Sequence, residues 1–153
     1  MPLCPACARP LYANEHICYT VKCFILKRIG CDGMGDDYRN RIIGLEYVKA
    51  ADLASHPGNW RDHPANQVEA LKGVLNEVGI AGALLAYRSE RQGGALVVID
   101  GHLRKDAAPQ KWPVLILDVD DAEADYLLAT HDPLAAMATA DAGALDALLS
   151  SVQ

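Results

Sequence analysis

From Ala95 to Ala108 the chain reads Ala-Leu-Val-Val-Ile-Asp-Gly-His-Leu-Arg-Lys-Asp-Ala-Ala, and no other stretch restricts the fold as much. Ala95–Ile99 is an unbroken apolar run, the pattern of a strand covered on both faces. It stops at Asp100-Gly101, and His102, Leu103 and Arg104 open a helix. Gly101 lets the chain turn and lets a ligand approach the backbone. The unsatisfied N–H groups of the helix start, with Arg104 one turn in, suit an anion. The junction reads as a phosphate-binding design, while Asp-Gly at such a place also serves simply as a turn.

The segments around it give the rest of the fold. Ile42–Val48 and Ala83–Tyr87 read as strands, and Ser89–Gly94 turns into Ala95–Ile99. Pro64–Val78 is helical, with Val68, Leu71, Val74, Leu75 and Val78 recurring on one face and Gly79 closing it. Pro109 stops the helix that starts at Gly101, and Pro113–Val119 is a fourth strand. Ala122–Thr130 and Leu134–Met137 read as separate helices, broken at His131-Asp132-Pro133 with Asp132 as a cap. Gly143–Val152 closes the chain as an amphipathic helix. This order predicts an α+β domain with a small mixed sheet flanked by helices over residues 42–153.

The N-terminal part has a different character. All five cysteines lie in the first 31 residues, and four of them form C-x2-C and C-x4-C pairs: Cys4, Cys7, Cys18 and Cys23. Two short-spaced pairs supply the four soft ligands of a tetrahedral structural zinc site. A disulfide pairing conflicts with the lack of a secretion signal, and a redox C-x-x-C needs a βαβ scaffold. His16 can substitute for a thiolate, and Cys31 reads as a spare. Residues 1–30 are thus expected to form a small Cys4 zinc knuckle. Gly30–Asp37 carries three glycines and three aspartates without EF-hand spacing, so residues 31–41 read as a linker.

Charge limits the partners. Residues 1–50 hold seven Lys/Arg and five Asp/Glu, whereas residues 51–153 hold seven and fifteen. An acidic main domain argues against strong nonspecific binding to a nucleic-acid backbone. No apolar run reaches membrane-span length, and a cytoplasmic location is expected.

The segments Pro57-Gly58-Asn59-Trp60-Arg61, Glu77-Val78-Gly79-Ile80, Ile99-Asp100-Gly101-His102-Leu103-Arg104 and Trp112-Pro113-Val114-Leu115 follow one another at telling intervals. Together they resemble the ParB/sulfiredoxin-like domain, often labelled ParB-like nuclease, of phages and mobile elements. The resemblance covers about residues 44–152. It implies the ParB N-terminal fold and a DNA-associated module, commonly encoded before a DNA methyltransferase. It also implies that Gly79-Ile80 lines a nucleotide pocket and that Gly101-His102-Leu103-Arg104 holds phosphates, with CTP and Mg as the cofactor. The chain has one Arg where CTP-binding members have two adjacent ones, and Thr130-His131-Asp132-Pro133 where they have an Asn-rich box. Both departures count against CTP hydrolysis. Sulfiredoxin chemistry needs a Cys before the His-Arg pair, and Asp100-Gly101 stand there instead.

Three readings compete on these residues. In a binding module, Gly79, Ile80, Asp100, Gly101, His102, Arg104 and His131 form the ligand pocket. In a nuclease or nucleotidase, His102 and Arg104 are catalytic, His131 converges with them, and Asp100 binds a metal or orients His102. In a degenerate structural domain truncated from a longer chain, none of these groups acts. His56, Trp60 and His63 share an irregular loop, with Trp60 expected to pack on the domain edge. Binding is expected ahead of chemistry.

Overall fold

The computed structural model describes residues 38–152. The zinc-ligand reading of Cys4, Cys7, Cys18 and Cys23 lies outside them, as do His16 and Cys31. The described residues divide into two units, 38–128 and 129–152.

The first unit is built on five strands: β1 (Ile42–Lys49), β2 (Ala54–Ser55), β3 (Leu84–Ser89), β4 (Ala95–Asp100) and β5 (Lys111–Leu117). They stand in the order β1-β5-β3-β4-β2. β1 runs antiparallel to β5, and β3 antiparallel to β4, while the β3–β5 and β2–β4 pairs are parallel. The sheet is therefore mixed and the domain α+β. The apolar run of β4 sits one strand in from the edge, between β3 and the two-residue β2. That position explains why it shows no polar alternation: both of its faces are covered.

Alternation sorts the core into two layers. Leu84, Ala86, Leu96, Val98, Trp112, Val114 and Ile116 point to one side, joined by Leu53 and by Leu75 of helix α1 (Ala65–Glu77). Tyr87, Val97, Ile99 and Leu117 point to the other, against Ala124 and Leu128 of helix α3 (Asp121–Ala135). Each large aliphatic side chain buried in this way contributes about 1.5–3 kcal/mol of hydrophobic stabilisation. Trp112, wholly buried, satisfies its indole by donating to the Ala108 carbonyl at 3.1 Å.

Several expectations need correction. Pro64 caps α1 rather than starting it. Of the apolar face of that helix, Val68, Leu71 and Leu75 are partly buried, while Val74 and Val78 are exposed. A helix packed on the sheet by a narrow stripe needs fewer apolar positions than the periodicity offers. β5 starts two residues early, because Lys111 and Trp112 complete the ladder with Lys49 and Val48. The largest correction is at His131-Asp132-Pro133. There is no break, and α3 continues as one helix to Ala135 with Pro133 inside it. Pro133 cannot donate to the carbonyl one turn back and crowds it, a cost that the burial of its ring helps to offset. A further helix, α4 (Ala142–Ser151), starts with Asp141 accepting the Ala144 N–H at 3.0 Å.

Candidate functional site

Gly79 and Gly101 are the two backbone positions on which the site depends. Gly79 ends α1 at φ +87°, its N–H bonded to the Leu75 carbonyl at 3.0 Å. Gly101 joins β4 to the short helix α2 (His102–Ala107) at φ +99°. A Cβ at Gly101 would collide with Leu84 Cδ2 and lie 3.1 Å from Arg104 Nη2. The close approach expected for a ligand is thus made by the chain itself, through Leu84 and the Arg104 guanidinium.

Arg104 folds back over this turn. Its Nη1 donates to the Ala83 carbonyl at 3.0 Å, and its Nη2 to Asp100 Oδ2 at 2.6 Å. A Cβ on Gly82 would sit 3.2 Å from Nη1, so Gly82 leaves room for the guanidinium. One side chain thereby joins the Gly79–Ala83 connection to the Gly101–Arg104 turn. Ile80, within that connection, is 39% exposed. Asp100 pairs with Arg104 (side chains 27% and 28% exposed) and does not orient His102, correcting that expectation. A partly exposed i,i+4 pair of this kind is worth about 0.3–1 kcal/mol. An arriving anion can therefore compete for the guanidinium.

His102 is held from the other side. It is buried, and its Nε2 accepts the His56 N–H at 3.2 Å. That bond places the ring proton of the neutral form on Nδ1. Burial lowers the His102 pKa first, Lys105 and His56 lower it further, and Asp106 and Asp100 oppose them. One turn on, Lys105 Nζ donates to Ser55 Oγ at 2.6 Å. β2 and the residue after it are in this way fastened to α2 by two bonds.

His56 is a residue whose importance the sequence hid. It sits in the stretch that looked irregular, yet it is buried, and its Nδ1 accepts the Gly58 N–H at 3.0 Å. Its Nε2 lies 3.2 Å from Asp125 Oδ1, without the alignment of a hydrogen bond. Burial lowers its pKa first, aided by Arg91 and opposed by Asp125 and Asp121. Asp121 is the neighbouring hub. Its Oδ1 accepts from Tyr87 Oη at 2.9 Å and Ser89 Oγ at 2.6 Å, and its Oδ2 from the Arg91 N–H at 3.1 Å. These bonds, the Ser89 hydroxyl foremost, hold the Asp121 carboxyl below the usual carboxylate range. A buried tyrosine and serine facing the first turn of an acid-led helix was the available signal for this hub.

His131 is exposed on α3, in the second unit. Trp60 is half-exposed, with its indole N–H donating to the Leu128 carbonyl at 3.4 Å. Among the described residues no group of three or more His, Cys, Asp or Glu side chains is placed to hold a metal ion. No described helix is long and apolar enough to cross a membrane.

No protein-family model and no curated protein sequence matches the chain. Among solved structures, it is similar to the C-terminally truncated chromosome-partitioning protein ParB from Caulobacter crescentus, complexed with CTP-gamma-S. The TM-score is 0.53 at 21% identity, over 70% of this chain and 60% of that one. Sulfiredoxin from Arabidopsis thaliana aligns at a TM-score of 0.46 and 12% identity, over 56% of this chain and 97% of that one. A Pnob8-like ParB-N domain aligns at 0.45 and 22%, over 57% of this chain and 35% of that one. The chain thus spans about 60% of the length of the Caulobacter structure. The mixed five-stranded sheet with its flanking helices has a ParB-like fold.

Proposed function

We propose that this chain is a DNA-associated, ParB-like module whose Gly79–Ala83 connection and Gly101–Arg104 turn form a nucleotide- or phosphate-binding pocket. The observation that carries this reading is the Arg104 side chain. It touches both segments at once, bonding the Ala83 carbonyl and lying against Gly101 and Gly82. Two glycine-bearing turns meeting at one guanidinium leave backbone and charge within reach of a phosphate. The structural neighbour solved with CTP-gamma-S adds support for a nucleotide as ligand.

Asp100 shapes the ligand class. A carboxylate bonded to the only arginine of the turn repels a bare phosphate but suits a nucleotide carrying Mg. Gly79, Ile80, Gly101, His102 and Arg104 would then hold the nucleotide, with Asp100 toward the cation. His102 acts here through position. Its Nε2 is taken up by the His56 N–H, which favours binding over acid–base catalysis. Regulation of a partner DNA methyltransferase is the finer form of the same proposal. A zinc knuckle on Cys4, Cys7, Cys18 and Cys23 is a second part of it, tested by metal analysis of the purified chain.

Calorimetric titration with the four ribonucleoside triphosphates, with and without Mg, tests the pocket. One of them should bind in a Mg-dependent way, and Arg104→Ala should abolish that binding. Absence of heat with all four, in both conditions, overturns the reading.

A further inference from the structure

We propose that the groove beside Trp60 is a stacking site for an unpaired nucleobase, separate from the Gly101–Arg104 turn. The groove has a volume of about 310 Å³ and is lined by Trp60, Arg61, Asp62, His63 and Gln67. Trp60 is 49% exposed, an unusual fate for the largest apolar side chain. It is nevertheless anchored. Its indole N–H reaches the Leu128 carbonyl at 3.4 Å, and the loop before it is fixed by the buried His56. His56 Nδ1 accepts the Gly58 N–H, and the His56 carbonyl accepts the Asn59 N–H at 3.0 Å. A wide aromatic ring is in this way displayed on a loop that is held in place.

The chemistry of the wall selects the ligand. The Arg61 guanidinium carbon lies over the Trp60 ring, 5.4 Å from its centroid, so a planar cation covers one face of the indole and extends the stacking surface. His63 Nδ1 and Gln67 Oε1 lie 3.0 Å apart, fixing an imidazole and an amide in the same wall. Asp62 adds a carboxylate. A simple anion is disfavoured by Asp62, and a saturated apolar ligand by the polar lining. A nucleobase meets every feature: a flat polarisable face for the indole or guanidinium, and an edge carrying both donors and acceptors for the amide, imidazole and carboxylate. The formal charge of −6 makes stacking, and not phosphate attraction, the source of affinity.

A base of this kind arrives either on a free nucleotide or on a single strand, and one experiment separates the two. The chain has two tryptophans, and Trp112 is only 1% exposed, so ligand quenching of indole fluorescence reports Trp60. The full chain is titrated with thymidine monophosphate, a short oligothymidylate and a blunt duplex. Quenching by the oligonucleotide at lower concentration than by the monophosphate identifies a single strand, and equal quenching identifies the free nucleotide. The duplex should not quench.

In anisotropy with the labelled ligand, Trp60→Ala should weaken binding about tenfold or more, and Trp60→Phe should retain most of it. Affinity should change by less than about threefold between about 50 and about 200 mM salt. Arg104→Ala should bind like the unaltered chain, whatever becomes of its triphosphate binding. The native emission of Trp112 shows that each variant is folded. The proposal is overturned if neither thymidine monophosphate nor the oligothymidylate quenches, if the duplex binds equally well, or if folded Trp60→Ala binds unchanged. Loss of quenching in Arg104→Ala merges the two sites and overturns their separation.

Discussion

The backbone N–H of His56 donates to Nε2 of His102 across 3.2 Å, joining the residue after β2 to the first residue of α2. The bond needs an unprotonated ring, since a protonated His102 would turn a donor toward a donor. Both histidines are buried, and burial is the first cause holding each below its ordinary pKa. In the unfolded chain they titrate near about 6.5. Below that pH the unfolded state binds more protons than the folded one. Stability is therefore full above about pH 6.5 and falls as pH drops toward the depressed folded values. Urea melts between about pH 7.5 and about pH 5 should show this loss. His102→Gln keeps an acceptor but cannot titrate, and it should flatten the slope. An unchanged slope in that variant removes His102 from the account.

Asp100 and Arg104 make a second testable pair. Both side chains are about a quarter exposed, so the ion pair adds little to stability. Arg104→Ala also removes the bond to the Ala83 carbonyl, and should cost about 1–3 kcal/mol of stability. Asp100→Asn should strengthen binding of a Mg-free nucleotide several-fold and reduce its Mg dependence, because the guanidinium loses a competing carboxylate. Calorimetry of both variants checks this, and weaker Mg-free binding in Asp100→Asn speaks against a phosphate at Arg104.

How legible all this was in the sequence depended on the kind of signal. The strand from Ala95, its stop at Gly101 and a partner strand at Ala83–Tyr87 could be read, because hydrophobic runs and glycine report burial and turns directly; the partner runs Leu84–Ser89, taking in Ser89 that reads as turn. α3 reads as two helices in sequence because a proline inside a helix is costly and signals a break, whereas here the buried Pro133 is carried within one continuous helix. His56 was invisible for a different reason. It follows directly on a two-residue strand, Ala54–Ser55, that only its parallel neighbour Val97–Val98 defines. Arg104 could be placed at the turn, but its fold-back onto Ala83 is a tertiary bond that no local pattern encodes.

Arg41 gives a separate acid window. Its Nη1 and Nη2 donate to the two carboxylate oxygens of Glu123 at 2.8 and 2.6 Å, and the Asp120 N–H donates to the same group at 3.1 Å. Arg41 first, then that backbone bond, pulls the Glu123 carboxyl down to about 2. A depressed carboxylate contributes stability above its unfolded pKa and loses it as pH falls through the folded one. The loss should therefore run from about pH 4.5 to about pH 2, below the histidine window. Acid titration of the far-ultraviolet signal should show this second step in the unaltered chain and a weaker one in Glu123→Gln. A step of undiminished size in the variant would assign it to other carboxylates.

Gly101→Ala tests the backbone on which the pocket reading stands. The position holds φ +99°, which side chains rarely adopt, and the added methyl runs into Leu84 Cδ2. Leu84 is wholly buried between β5 and β4, so it has little room to yield. Left-handed strain and overpacking together should cost about 2–4 kcal/mol. Gly79→Ala is the matched control. It shares the positive φ (+87°) but meets nothing within 4 Å, so only the strain of about 1 kcal/mol applies. Urea denaturation of the two variants side by side should show the larger loss at Gly101. Equal losses would mean that the contact with Leu84 is not what holds this turn.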